Sequence, residues 1–207
     1  QGNSVPVSIH GALGKQQIYP ALFAFAVGIS RGINMVTIGD RLLSHKTPNG
    51  RMHLVPGIKK TMIIDDTYNA SPVAVDEALL TLGELKVKGR RIAVLGDMME
   101  LGKHSVEMHR EIGVRVSKSA DLLIAVGIRA RGIADSALDI IGDEKVLTYD
   151  SGVEVLSDLQ NLLKEGDIVL VKGSQSMRME RIVKGIMAEP EKAGELLVRQ
   201  EEEWFTR

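Results

Sequence analysis

The chain has 207 residues, 44% apolar and 26% charged, with a formal net charge of −1 and no cysteine. That composition supplies a sizeable core, while near-neutrality excludes the basic footprint of a nucleic-acid or acidic-lipid binder. Without cysteine there are no disulfides, thiolate zinc sites or cysteine nucleophiles, and the apolar run from Ile18 to Ile29 is well short of the roughly 20 residues that cross a bilayer.

Taken in order, residues 5–9 (Val-Pro-Val-Ser-Ile) read as a strand, Ile18 to Ser30 as a buried helix closed near Gly32, and 36–43 as a second short helix before the loop Thr47-Pro48-Asn49-Gly50. Two helices and a strand cannot close a core of their own, so 1–58 reads as the tail end of another domain. From Lys59 the pattern becomes regular. Strand candidates lie at 61–64, 91–95, 122–126, 146–148 and 168–171. Helical stretches lie near 72–83, 105–117, 129–141, 152–163 and 176–188. Ser151 and Glu154 have capping-box spacing, followed by Val155, Leu156, Leu159, Leu162 and Leu163 at helical intervals. Strict alternation of strand and helix predicts an α/β, three-layer, Rossmann-like domain over 59–188 with a mostly parallel sheet. A terminal helix is expected over 189–207, docked by Leu196, Leu197 and Trp204, with Glu201 to Glu203 on a solvated face. No basic region followed by an apolar core opens the chain, so a cytoplasmic protein is expected.

Ligands of open α/β sheets meet the carboxyl ends of the strands. The stretch Ile63-Ile64-Asp65-Asp66-Thr67-Tyr68-Asn69-Ala70-Ser71-Pro72 ends a strand in two carboxylates and then enters a helix, with Ser71 as N-cap and Pro72 at the first helical position. Asp65, Asp66, Tyr68 and Asn69 are thus where a ligand would sit, although Asp and Asn are also ordinary turn formers. Asp97 and Glu100 follow the second strand; they offer a carboxylate pair for base catalysis or for an ammonium group, and equally Asp97 suits a cap of the next turn. Lys172-Gly173-Ser174-Gln175-Ser176 leaves the last strand, and its N–H groups, with Lys172 and Arg178, favour an anion as readily as they make a capped helix. His104, Glu107 and His109 lack His-Glu-x-x-His spacing and read as surface rather than metal ligands. There is no Gly-x-x-x-x-Gly-Lys-Ser/Thr and no Gly-x-Gly-x-x-Gly, which disfavours a dinucleotide oxidoreductase.

The string Asp65 to Pro72 resembles the hallmark of the Mur ligases, in particular of the branch that adds D-alanyl-D-alanine to UDP-N-acetylmuramoyl tripeptide. The resemblance continues at Gly50-Arg51-Met52, at Val94-Leu95-Gly96-Asp97-Met98-Met99-Glu100-Leu101-Gly102 and at Val171-Lys172-Gly173-Ser174-Gln175-Ser176-Met177-Arg178-Met179-Glu180. Four motifs in order over about 5–188 cover most of the chain but only the C-terminal part of such an enzyme.

That resemblance implies an ATP-dependent amide ligase of peptidoglycan precursor synthesis, whose tripeptide carboxylate becomes an acyl phosphate that the dipeptide amine attacks. It implies nucleotide contacts from Arg51 (phosphates), Asp66 (ribose hydroxyls), Tyr68 and Asn69. Asp97, Glu100, Lys172, Ser174 and Ser176 would face the substrate, and His109 would be structural. The phosphate-binding loop, the magnesium ligands and a modified lysine belong to the central domain of such ligases, of which 1–58 would be a remnant, so no catalytic residue and no metal ligand is expected in this chain. Gln17 and Pro20 stand where the family has asparagines, the second of which contacts adenine; proline cannot make that contact. The expected partners are UDP-N-acetylmuramoyl tripeptide and D-alanyl-D-alanine, with ATP and magnesium as cofactors, no nucleic acid and a monomeric chain. The alternatives are a ligase like folylpolyglutamate synthase, which the motif strings disfavour, and a non-catalytic stand-alone module of the same fold.

Overall fold

The computed structural model describes residues 4–9 and 13–204. Among them, six strands form one sheet in the order β1-β2-β6-β3-β4-β5. The strands are β1 (His53–Pro56), β2 (Met62–Asp66), β3 (Arg91–Gly96), β4 (Leu122–Val126), β5 (Val146–Tyr149) and β6 (Ile168–Lys172). All neighbours are parallel except β1, which runs antiparallel to β2 at one edge.

Side chains alternate across each strand, and the two sets define two cores. Ile64, Ala93, Leu95, Leu123 and Leu170 face α3 (Pro72–Glu84), α4 (Ser105–Ser119) and α5 (Arg131–Ile141). Ile63, Ile92, Val94, Val169 and Val171 face α6 (Gly152–Leu162), α7 (Glu180–Ile186) and the C-terminal tail. This is the three-layer α/β arrangement that the alternation predicts. β6 returns from the far edge to lie between β2 and β3, so the carboxyl ends of three strands converge, with Asp66 opposite Lys172 and Lys172 opposite Leu95. Parallel crossovers that reverse direction in this way open a crevice at the sheet's carboxyl edge.

Several elements differ from the sequence reading. Residues 5–9 join no ladder. The two N-terminal helices form as expected, α1 at Ile18–Ser30 and α2 at Met35–Leu42, but α1 is not buried: among its residues only Ala21 and Gly28 are inaccessible. β1 was not foreseen, because four residues ending in proline give no alternation to read. The helix expected at 176–188 begins only at Glu180, after a 3-10 turn over Gln175–Met177 and a left-handed Arg178 with φ 53°. The tail is no continuous helix. It makes a 3-10 turn (Pro190–Lys192), one helical turn α8 (Ala193–Leu196), an extended stretch from Leu197 and a turn over Glu202–Trp204; the last three residues lie outside the described ones. Leu197 is nonetheless buried, as its docking role requires. At α6, Glu154 accepts from the Ser151 hydroxyl (3.0 Å) and from the Asp150 N–H (3.3 Å), so it reaches one residue further back than a capping box would.

Candidate functional site

β2 ends in two buried carboxylates that point to opposite faces of the sheet and hold the same loop from both sides. Asp65 Oδ2 accepts the Gly50 N–H (3.1 Å) and Asp66 Oδ1 accepts the Met52 N–H (3.1 Å). The Tyr68 N–H donates back to the Gly50 carbonyl (3.0 Å). Gly50 is left-handed (φ 69°), and a Cβ there would stand 3.1 Å from the Tyr68 nitrogen and 3.0 Å from Val198 Cγ1, so only glycine lets the two loops meet. Asp65 also accepts from the Thr67 hydroxyl (2.6 Å) and N–H (3.2 Å). It is wholly inaccessible, and burial pushes its carboxyl up to about 6 against the pull of those donors. Its position at a strand end is therefore a loop anchor and not a ligand contact.

Asp66 Oδ2 takes the Lys172 ammonium at 2.5 Å, and the same ammonium donates to the Asn69 carbonyl (2.9 Å). The β2–β6 register dictates this pair, since opposite residues of parallel neighbours project to the same face. Lys172 is thus separated from Ser174 and Ser176, with which sequence adjacency grouped it. The Arg51 guanidinium lies 4.1 Å from the centroid of the Tyr68 ring while remaining exposed, a cation–π arrangement that leaves its N–H fork for an anion. Arg51, Asp66, Tyr68, Asn69 and Lys172 line one cavity of about 580 Å³, whose floor continues through Ala70 and Ser71 onto α3. Ser71 caps α3 through the Ala74 N–H (3.4 Å), with Pro72 at the first helical position, as its sequence required. The opposite wall is the 3-10 turn before α1 and the helix's first turn: Gln16, Gln17 and Pro20. Gln17 Nε2 donates to the Arg51 carbonyl (3.4 Å), whereas Gln16 Oε1 is a buried acceptor without a partner.

The second predicted group lies along the ends of β3 and β6. Asp97 is buried; its Oδ1 accepts the Ala130 N–H (2.7 Å) just before α5, and Arg129 stands 3.8 Å from Oδ2. Asp97 thus holds the backbone ahead of α5 and not, as its sequence setting suggested, the turn that follows it. Ser174 is also buried, its N–H on the Asp97 carbonyl (3.0 Å) and its Oγ accepting the Met99 N–H (2.8 Å). Glu100 and Ser176 are exposed, and Glu100 is left-handed (φ 64°). Asp97 is thus engaged by the fold, while Glu100 stands open to solvent at the same sheet edge. His109 is inaccessible, accepts the Met98 N–H at Nε2 (3.0 Å) and holds the Ser105 carbonyl through Nδ1 (2.6 Å), so it fastens the β3 loop to α4. Among the described residues no three His, Asp or Glu side chains gather as a metal would need.

The profile of the Mur ligase glutamate ligase domain matches residues 50–175, more than half of the chain. The chain belongs to the Mur ligases. It is 31% identical over 179 residues to the UDP-N-acetylmuramoyl-tripeptide–D-alanyl-D-alanine ligase of Bacillus subtilis, covering 86% of this chain and 39% of that protein. The ligase of the same name from Escherichia coli is 30% identical over 177 residues, covering 84% of this chain and 37% of its own. The crystal structure of MurF ligase from Thermotoga maritima in complex with ADP superposes with a TM-score of 0.73 at 30% identity, over 90% of this chain and 41% of that one. This Mur ligase chain thus spans about two fifths of the length of the curated relatives it matches. No helix among its described residues is long and apolar enough to cross a membrane.

Sequence reasoning missed Glu180 and Arg199 as parts of the site's frame. Glu180 is fully buried between Arg178 (Nε to Oε1, 2.6 Å) and Arg199 (Nη2 to Oε2, 2.8 Å), and Arg199 continues to the carbonyls of Thr67 and Tyr68. Arg199 sits two residues before the acidic run Glu201 to Glu203, and no local signal marks it as buried.

Proposed function

We propose that this chain is the C-terminal part of an ATP-dependent ligase that joins D-alanyl-D-alanine to UDP-N-acetylmuramoyl tripeptide. On this reading 59–188 is the ligase's C-terminal domain, 189–207 its tail, and 1–58 belongs with a central ATP-binding domain. The observation that carries it is the cavity in which Arg51, Asp66, Tyr68, Asn69 and Lys172 converge, in a chain whose relatives bear that name and whose structural neighbour holds ADP.

The chemistry of the wall fits a nucleotide. Arg51 offers a charged fork to phosphate oxygens while its back is packed on Tyr68. Asp66 and Lys172 present a donor-acceptor pair suited to ribose hydroxyls; Pro20, standing where the family has its adenine-contacting asparagine, leaves the base without that side-chain contact. ATP supplies the phosphoryl group that activates the tripeptide carboxylate. This chain's residues bind and orient the nucleotide and, on closing over the upstream domain, exclude water from the activated carboxyl. Magnesium, the phosphate loop and the modified lysine fall to that upstream domain. Asp97, Glu100, Ser174 and Ser176, at the ends of β3 and β6, are assigned to the dipeptide side. The ligase works as a cytoplasmic monomer.

In the full-length ligase, Asp66→Ala raises the Michaelis constant for ATP and leaves that for D-alanyl-D-alanine unchanged. An unchanged constant for ATP removes Asp66 from the nucleotide site. The 207-residue chain alone, given MgATP, tripeptide and dipeptide, releases no phosphate above a protein-free control; dipeptide-dependent release would place the active centre here.

A further inference from the structure

The tail holds both loops of the nucleotide wall from behind. Arg199 Nη2 donates to the Thr67 carbonyl (2.5 Å) and Nη1 to the Tyr68 carbonyl (3.1 Å), while Nε and Nη2 sit on Glu180 Oε2 (3.1 and 2.8 Å). Its backbone is left-handed (φ 58°), which turns the side chain inward from the exposed tail, and the side chain is only 4% accessible. Earlier in the same stretch, the carbonyls of Glu195 and Leu197 accept from Asn49 Nδ2 (2.8 and 3.5 Å), next to the loop that carries Arg51. Val198 packs against Gly50. Residues 195–199 therefore touch the Arg51 loop and the Tyr68 loop at once, and those two side chains stack on each other.

We propose that Arg199 is a positioning residue of the nucleotide wall: seated on Glu180, it fixes the carbonyls of Thr67 and Tyr68 and, through the Tyr68 ring, the direction of the Arg51 guanidinium. The chain of contact runs from Glu180 through Arg199 and Tyr68 to Arg51, each link a direct contact within the folded protein. A guanidinium is needed at its centre, because a planar fork can serve one carboxylate and two carbonyls together whereas an ammonium cannot span them. A wall held in place before the ligand arrives binds it at lower ordering cost. The ligand half of this inference rests on the nucleotide reading above; the positioning half does not.

The test uses the isotope-labelled chain in four forms: unaltered, Arg199→Lys, Arg199→Met and Arg90→Met. Arg90 pairs with the buried Asp167 at the opposite, amino-terminal end of the strands, so its loss destabilises the fold without touching the wall. The readouts are the ring-current shift that Tyr68 imposes on the Arg51 side-chain protons, and MgADP affinity by titration. Both Arg199 variants lose the shift and bind MgADP about fivefold or more weakly, while Arg90→Met keeps shift and affinity despite its lower melting temperature. A shift retained in Arg199→Met, with melting lowered as in Arg90→Met, overturns the proposal and leaves Arg199 a fastening of the tail. If the shift is lost in the Arg199 variants but no form binds MgADP, the positioning stands and the nucleotide reading falls.

Discussion

α1 and α3 contrast in a way their compositions hide. α1 is the most apolar helix of the chain, yet Tyr19, Phe23 and Val27 are more than 60% accessible, with only Ala21 and Gly28 buried. α3 carries Asp76, Glu77 and Glu84, yet Val75, Ala78, Leu79 and Leu82 are sealed against β2, β3 and β6. A helix apolar all round needs neighbours on every side. α1 has α2 and the turn before it, whereas α3 lies between a sheet and α4. The α/β body therefore closes its own core, and the N-terminal helices present a face suited to a larger one. The cavity lies across the seam, with one wall from each region.

The largest effect that would sharpen this contrast belongs to the body's wall. Lys172→Met strands the Asp66 carboxylate in a buried setting and costs about 3–5 kcal/mol; denaturant unfolding that shifts by less than about 1 kcal/mol would show that the pair contributes little to holding β2 to β6. Next, Leu79→Ala in α3 costs about 3 kcal/mol by cavity formation, while Phe23→Ala in α1 changes stability by about 0.5 kcal/mol or less. Equal losses at the two sites would break the comparison outright.

A third measurement concerns pH. Asp65, raised from 3.8 to about 6, holds its proton in the folded state where the unfolded chain has released it. Its contribution is thus complete below about 4 and is lost as pH rises through 6, with a slope of at most one proton. A carboxyl carbon titration of Asp65 with its midpoint near 6 is expected; a midpoint in the ordinary carboxylate range would mean that water reaches the Gly50–Thr67 turn. The smallest effect lies on the opposite wall: Gln17→Ala removes the donor to the Arg51 carbonyl and lowers stability by about 0.5 kcal/mol or less. A loss above about 1 kcal/mol would show that this exposed contact carries more of the seam than its length suggests.

The body was legible in the sequence because its signals are local. Runs such as Ile63-Ile64 and Leu122 to Val126 announce doubly covered strands, and Ser71-Pro72 fixes the start of α3. What was not legible depends on register and on distant partners. Lys172 reads as a neighbour of Ser174, and only strand pairing brings it to Asp66. The tail reads as helix from its composition, but the chain is already extended at Leu197, and a left-handed Arg199 then turns its side chain inward to Glu180, a partner 19 residues away that no local pattern announces. β1 escaped notice because its four residues, closing on Pro56, are too few to show a period.

That short strand has a consequence for handling the protein. The two borders of the sheet, β1 and β5, are each four residues long, and Pro56 offers no N–H to an incoming chain. Borders so brief give poor templates for strand-by-strand growth, so fibrillar polymerisation through the sheet is disfavoured even in concentrated solution. A more open surface for association is the aliphatic and aromatic side of α1, where Tyr19, Phe23 and Val27 stand exposed, and a contact made there is one that mild detergent would reverse.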